Sequence, residues 1–141
     1  MSSQKVFTRP FLEISKEEIF VPKRRKFIMF SWFGNLFKAD IDSVSTGHVL
    51  TADIAQKDGY DTYVANMVNS EGVLQEKVRD WWFNFLPSLK NKGIKRIISV
   101  ESPEATALSK QANKAWEKSV SFHGLEIINA ESMKDLKENI L

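Results

Sequence analysis

The stretch Ile94-Lys95-Arg96-Ile97-Ile98-Ser99-Val100 decides the fold, because it has the strongest strand pattern in the chain. A segment with helical spacing, residues 74–91, precedes it, and a second one begins at Ser102-Pro103-Glu104. Residues 60–68 and 125–128 have the composition of further strands on the outer sides of these two helices. Short connections in this β-α-β-α-β order predict parallel strands joined by right-handed crossovers.

Apolar residues that recur every three or four positions mark the two helices. In the first helix they are Leu74, Val78, Trp81, Trp82, Phe85 and Leu89. Pro87 is predicted to bend or interrupt the last turns of this helix, and Gly93 to cap it. In the second helix they are Ala107, Leu108, Ala112, Ala115, Trp116 and Val120, ending at His123-Gly124. A last helix is predicted to start at the capping residue Ser132.

The first half of the chain is predicted to add antiparallel strands to this unit. The aromatic and apolar run at residues 27–33 indicates a strand, and residues 11–21 indicate an opening strand or a short hairpin. Residues 1–10 are expected to form a loose N-terminal extension.

The pattern in residues 36–58 fits two structures. Phe37, Ile41, Val44 and His48 follow helical spacing, whereas residues 44–55 also alternate as a strand does. We favour a helix that is irregular or broken near Gly47 and ends at Gly59, which suits a left-handed cap.

The 141 residues include 20 Lys and Arg against 18 Asp and Glu, with 43% hydrophobic residues and no cysteine. This composition predicts a single α/β domain over residues 11–141, with a mixed sheet of about five strands and four or so helices packed on it. The absence of cysteine excludes disulfides, thiolate metal sites and a cysteine nucleophile. Two histidines, His48 and His123, are too few for a multi-histidine metal site, and we expect both to be structural.

The net charge and the hydropathy of the chain limit the classes of partner that we expect. A net charge of +2 does not by itself indicate nucleic-acid binding, and no apolar window reaches the roughly 18 residues that cross a bilayer. We therefore expect no metal, no cofactor, no nucleic acid and no membrane insertion. A cysteine-free chain of this kind is expected in the cytoplasm.

Several short motifs follow one another in an informative order. A strand ends in Phe30-Ser31-Trp32, and a later helix carries Trp followed by an aromatic-Pro step within residues 79–87. The strand Gly93-Ile94-Lys95-Arg96-Ile97 comes next, and residues 124–128 with 133–136 close the series. This order resembles the SpoIIAA-like (STAS-like) domains, particularly their small stand-alone bacterial members, over nearly the whole chain. The resemblance implies a non-enzymatic signalling or regulatory module that acts through protein–protein contacts.

The same resemblance implies a regulatory loop at Asn69, Ser70, Glu71 and Gly72. The best-described members of the family are anti-sigma-factor antagonists, in which a Ser just before this Gly is phosphorylated at the start of a helix. Glu71 takes that position here, and Ser70 stands one place earlier. Glu71 is thus a candidate for a permanent negative charge at a helix N-terminus, and the simpler expectation is that Ser70 and Glu71 cap that helix.

Four aromatic residues, Trp81, Trp82, Phe83 and Phe85, form a candidate interface or pocket. Neighbouring helical residues diverge by about 100°, so these side chains cannot all face one core. An interface predicts a homodimer or a complex with another signalling protein. A pocket predicts a carrier of a small apolar ligand, which related lipid-binding domains of the same fold hold between sheet and helices. Trp116 is expected in the core.

Residues 72–125 also look like the acetyl-CoA-binding half of GNAT acetyltransferases, because a helix, a Lys-Gly-Ile-Lys-Arg-Ile strand and an Asn-x-x-Ala-Trp-x-Lys helix follow one another. Such enzymes cradle a pyrophosphate in a glycine-rich, basic loop. Here that loop offers Gly72 and carries Glu71, whose charge would repel phosphate. We therefore rank this enzyme below the interaction module and the ligand carrier.

Overall fold

The computed structural model describes residues 2–20, 24–103 and 107–141. Its centre is one six-stranded sheet in which every strand pairs with its neighbours in chain order, β1-β2-β3-β4-β5-β6. The strands are β1 Ser2–Arg9, β2 Leu12–Ile19, β3 Arg25–Asn35, β4 Thr62–Glu71, β5 Arg96–Val100 and β6 Glu126–Ala130. The first three strands are antiparallel, and β3 to β6 are parallel. The predicted α/β class and parallel strands are confirmed, with six strands instead of about five.

Helices connect the parallel strands. They are α1 Ile41–Asp58, α2 Glu76–Asn91 and α3 Ala107–Phe122, and a short α4 Met133–Asp135 continues as a π-helix, Leu136–Ile140. A single 3-10 turn, Leu36–Lys38, precedes α1. The described residues include no helix that is long and apolar enough to cross a membrane. The predicted start of the second helix at Ser102-Pro103-Glu104 lies partly outside the described residues.

The sheet separates two apolar layers because side chains alternate along each strand. Tyr63 packs with the buried residues of α1, α2 and α3, whereas its neighbour Val64 packs with α4 and the π-helix. Ile97 and Ile98 divide in the same way on β5. This arrangement explains why β4 and β5 are apolar at successive positions, as strands buried on both faces are.

The N-terminal residues correct one prediction. Residues 2–9 form β1, which pairs antiparallel with β2, so the expected loose extension over residues 1–10 is wrong. The strand lacks an alternating pattern because it lies at the edge of the sheet and its register shifts between Lys5 and Phe7. Phe7 alone of its side chains is buried, 8% exposed, in the layer beneath α1.

The helix predicted over residues 36–58 is confirmed, but α1 is continuous through Gly47. The strand-like alternation of residues 44–55 is therefore misleading, and the predicted break is wrong. Asp40 caps the helix by accepting a 2.9 Å hydrogen bond from the Ser43 backbone, which lowers the pKa of Asp40. Gly59 ends it with φ +73°, as predicted. Glycine at position 47 allows Phe7 of β1 to pack closely against α1, because an added Cβ would lie 2.8 Å from Phe7 Cε1.

The prediction that α2 runs to about Asn91 is confirmed, whereas the predicted interruption at Pro87 is wrong. The helix continues through the exposed Pro87, because the buried Leu86 and Leu89 anchor its last turns in the core. Ser70 and Glu71 do not cap it, since they belong to β4 and the N-cap residue is Gln75. The dipole of α2 therefore does not act on Glu71, which lies outside its first turn.

Replacing Gly47 by alanine is expected to lower the free energy of unfolding by about 1–2 kcal/mol. The new methyl group would crowd Phe7, and this cost exceeds the better helix propensity of alanine, about 1 kcal/mol. Urea denaturation measures the change, with the exposed Thr46→Ala as the control on the same helix. Adding Phe7→Leu should reduce the penalty of Gly47→Ala. A Gly47→Ala variant more stable than the parent would show that β1 does not dock here.

Candidate functional site

A cavity of about 350 Å3 lies between α2 and α3, on the face of the sheet that α1, α2 and α3 cover. The carboxyl-terminal parts of β4 and β5 form its floor, through Ser70 and Ser99 among others. Ligands of open α/β sheets bind at this end of the strands, where the connecting loops leave room. The cavity therefore occupies the expected place for a ligand site in this architecture.

Aromatic side chains form the apolar wall of the cavity. The rings of Trp82 and Trp116 are stacked with centroids 5.4 Å apart and planes at 20°, and Phe83 stacks on Trp116 at 5.8 Å. Phe30 from β3 meets Trp82 edge to face at 5.5 Å. These contacts join α2, α3 and the sheet, so the wall is held in shape by the core itself.

Polar side chains lie around the same cavity. The charged residues that line it, within the described part of the chain, are Glu71 and Arg79. Arg79 lies 3.2 Å from Asp80 and 3.9 Å from Glu76, with its guanidinium 5.9 Å from the Phe83 ring centroid. The solvent-exposed carboxylate of Glu71 makes no ion pair or hydrogen bond with any described residue. Arg79 is thus close to two carboxylates, whereas the Glu71 carboxylate has no charged partner among the described residues.

The structure places part of the predicted aromatic cluster at the cavity. Trp82 and Phe83 line it, and Trp82 is 4% exposed. Trp81 and Phe85 are outside the cavity wall and stack on each other at 4.8 Å. Trp82 connects the two pairs, because its ring centroid lies 6.2 Å from that of Trp81 and 5.9 Å from that of Phe85.

Within the predicted regulatory loop, Ser70, Glu71 and Gly72 line the cavity. Ser70 is 6% exposed, and its hydroxyl donates a 2.8 Å hydrogen bond to the Met67 carbonyl. Asn69 is exposed and is not among the residues of the cavity wall. The predicted turn is instead the end of β4, followed by Gly72 with φ +75°.

Trp116, Arg79 and Ser99 belong to the cavity but were not predicted as site residues. Trp116 was expected in the core, and it does pack against the core while also lining the cavity. Its helical spacing with Ala112 is the same for either role. Only the packing of α3 beside α2 reveals the second one.

His48 lies next to this site, fully buried on the inward face of α1. Its ring stacks on Trp82 with centroids 4.1 Å apart, and neither ring nitrogen has a hydrogen-bond partner among the described residues. Burial lowers the pKa of His48 to about 3, so the side chain is neutral at pH 7. The hydroxyl of Tyr63 is likewise buried without a partner, and burial raises its pKa. The described residues contain no cluster of His, Asp and Glu able to hold a metal ion.

Comparison of the chain with protein-family models, with curated proteins and with solved structures finds no match. Function must therefore be inferred from the cavity and the residues around it.

Proposed function

We propose that the protein is a carrier or sensor that binds a small, largely apolar molecule in the cavity between α2 and α3. The observation that carries this proposal is the open cavity of about 350 Å3 that the Trp82 and Trp116 rings line. Ligand pockets in proteins have volumes of roughly 300–1,000 Å3 and combine apolar walls with a few polar groups. The cavity fits this description.

The physical basis of binding is the removal of apolar surface from water, which contributes about 25 cal/mol for each Å2 buried. Aromatic walls add specific stacking when the ligand is planar. A planar ligand would contact the rings of Trp82, Trp116 and Phe83, which line the cavity and already stack on one another. No observation favours the acetyltransferase, since Glu71 and Glu76 flank the loop where a pyrophosphate would bind.

Filling the cavity should weaken ligand binding. Ala112 lines the cavity from α3, and Ala112→Phe is expected to weaken binding of the neutral fluorophore N-phenyl-1-naphthylamine at least about tenfold by occupying its volume. The matched control is Ala107→Phe on the same helix, at an exposed position outside the cavity wall. Fluorescence titration measures both variants. Equal affinity of Ala112→Phe and the parent would contradict the proposal.

Native mass spectrometry of protein purified gently from its own cells gives an independent test. A retained small-molecule adduct that Ala112→Phe loses would support the carrier, and its mass would begin to identify the ligand. Loss of the adduct from Ala107→Phe as well would count against the cavity as its location.

We also propose, as the second candidate, the regulatory interaction module that the resemblance to SpoIIAA-like domains implies. Adjacent exposed apolar residues on α1, Val49 and Leu50, are 47% and 43% exposed, and α1 also contacts the Trp81 and Phe85 side of α2. Large exposed apolar groups favour contact with another protein or a second copy. A dimer or hetero-complex without an adduct in the same mass spectra would support this candidate. We propose the cytoplasm as its location, where a chain without disulfides is at no disadvantage.

A further inference from the structure

We infer that the apolar molecule held in the cavity carries a protonated amine, and that the Glu71 carboxylate binds this amine. The inference rests on the proposed function, because it concerns the ligand of the same cavity. Glu71 is the exposed last residue of β4 and lies in the cavity wall, which combines aromatic rings with several serine and amide side chains.

The state of Glu71 is the first observation. Its carboxylate has no ion pair or hydrogen bond with any described residue, although 20 Lys and Arg are present in the chain. An ionised carboxylate accepts hydrogen bonds only, and its preferred partners are cationic donors such as ammonium groups. The cavity wall therefore presents an acceptor that the protein itself leaves available.

The state of Arg79 is the second observation, and it argues against an anionic ligand. Its guanidinium already lies 3.2 Å from Asp80 and 3.9 Å from Glu76. The charge of Arg79 is therefore offset by two neighbouring carboxylates outside the cavity wall, whereas the Glu71 carboxylate in the wall has no cationic partner among the described residues. The local electrostatic potential therefore favours a cation and opposes a carboxylate or a phosphate.

The aromatic wall is the third observation. The faces of indole and phenyl rings carry partial negative charge, and they attract a cation placed within about 6 Å of the ring centroid. Trp82, Trp116 and Phe83 all line the cavity, and Arg79 already uses the Phe83 ring in this way. A ligand with a planar apolar body and an ammonium group satisfies both the rings and Glu71.

Three probes with one ring system test the charge preference: tryptamine, indole and indole-3-acetate. Isothermal titration at pH 7.5, where the amine is protonated, should show tryptamine binding about fivefold tighter than indole, and indole-3-acetate weakest. In Glu71→Gln, tryptamine should lose most of this preference, while the affinity of indole stays unchanged. The control is Glu76→Gln, an exposed carboxylate outside the cavity wall, which should keep most of the preference.

The outcomes separate this inference from the proposed function. Indole-3-acetate binding tighter than tryptamine, or a tryptamine preference that survives Glu71→Gln undiminished, would overturn the inference alone. So would binding of N-phenyl-1-naphthylamine in the cavity without binding of any indole probe. Failure of the neutral fluorophore and of all three probes would overturn the proposed function and the inference together.

Discussion

Replacing His48 by phenylalanine is expected to raise the free energy of unfolding by about 1–3 kcal/mol at pH 7. His48 is fully buried, and both ring nitrogens lack hydrogen-bond partners among the described residues. Folding therefore removes two polar groups from water without replacing their hydrogen bonds. A phenyl ring keeps the stacking on Trp82 at 4.1 Å and the edge contact with Phe30 at 5.0 Å, and it has no polar atom to desolvate.

The same substitution should change how stability depends on pH. Burial lowers the pKa of His48 to about 3 in the folded state, whereas an unfolded histidine has its ordinary pKa of 6.5. Between these two pH values the unfolded chain binds a proton at His48 and the folded chain does not. The parent therefore loses stability as the pH falls below 6.5. Between pH 7 and pH 4 this loss amounts to about 3 kcal/mol, and the phenylalanine variant escapes it.

Urea denaturation of both proteins at several pH values between 4 and 8 measures this difference. Carboxylates such as Asp40, whose pKa is lowered by the Ser43 backbone, titrate in both proteins and cancel in the comparison. His123→Phe is the control, since His123 is half-buried beyond the end of α3. Stability curves for the parent and His48→Phe that stay parallel down to pH 4 would mean that the imidazole has polar partners in the folded protein.

How far the sequence predicts this fold depends on how each element is buried. Strands β4 and β5 face apolar layers on both sides, so a continuous apolar run in the sequence predicts them. The edge strand β1 buries Phe7 alone, and its register shift removes any regular alternation. In α1, Gly47 had the signal of a helix breaker, yet it serves the close approach of Phe7. Such a contact between distant segments leaves no local signature.

The candidate site was harder to predict than the fold, for a related reason. The cavity joins the ends of two strands to two helices, and its wall pairs Trp82 with Trp116, 34 positions away. Periodicity places both residues on inward faces but does not show that space remains between them. The loop at Ser70 and Glu71 was singled out by resemblance, and its capping role was wrong because β4 extends through it.

Replacing Trp82 by alanine should have the largest effect of any single change near the site, a loss of about 3–5 kcal/mol in the free energy of unfolding. Trp82 is 4% exposed and touches Phe30, His48 and Trp116, so it joins the sheet, α1 and α3 through α2. Removing the indole leaves a void that these rings cannot close without moving the helices. A loss of this size approaches the total stability of a small domain, about 5–15 kcal/mol.

Trp81→Ala is the matched control, because it removes the same type of side chain from the preceding position of α2. Trp81 is half-buried and stacks on Phe85 beside α1, so its removal should cost clearly less than that of Trp82. Urea denaturation measures stability, and titration with N-phenyl-1-naphthylamine shows whether Trp81→Ala retains binding while any folded Trp82→Ala has an altered affinity. If Trp81→Ala were the more damaging variant, burial would not be what sets the stability loss at these two positions. If Trp81→Ala alone abolished binding, the ligand site would have to lie on the α1 side of α2. The binding measurements on the two variants thus distinguish a cavity between α2 and α3 from a site facing α1.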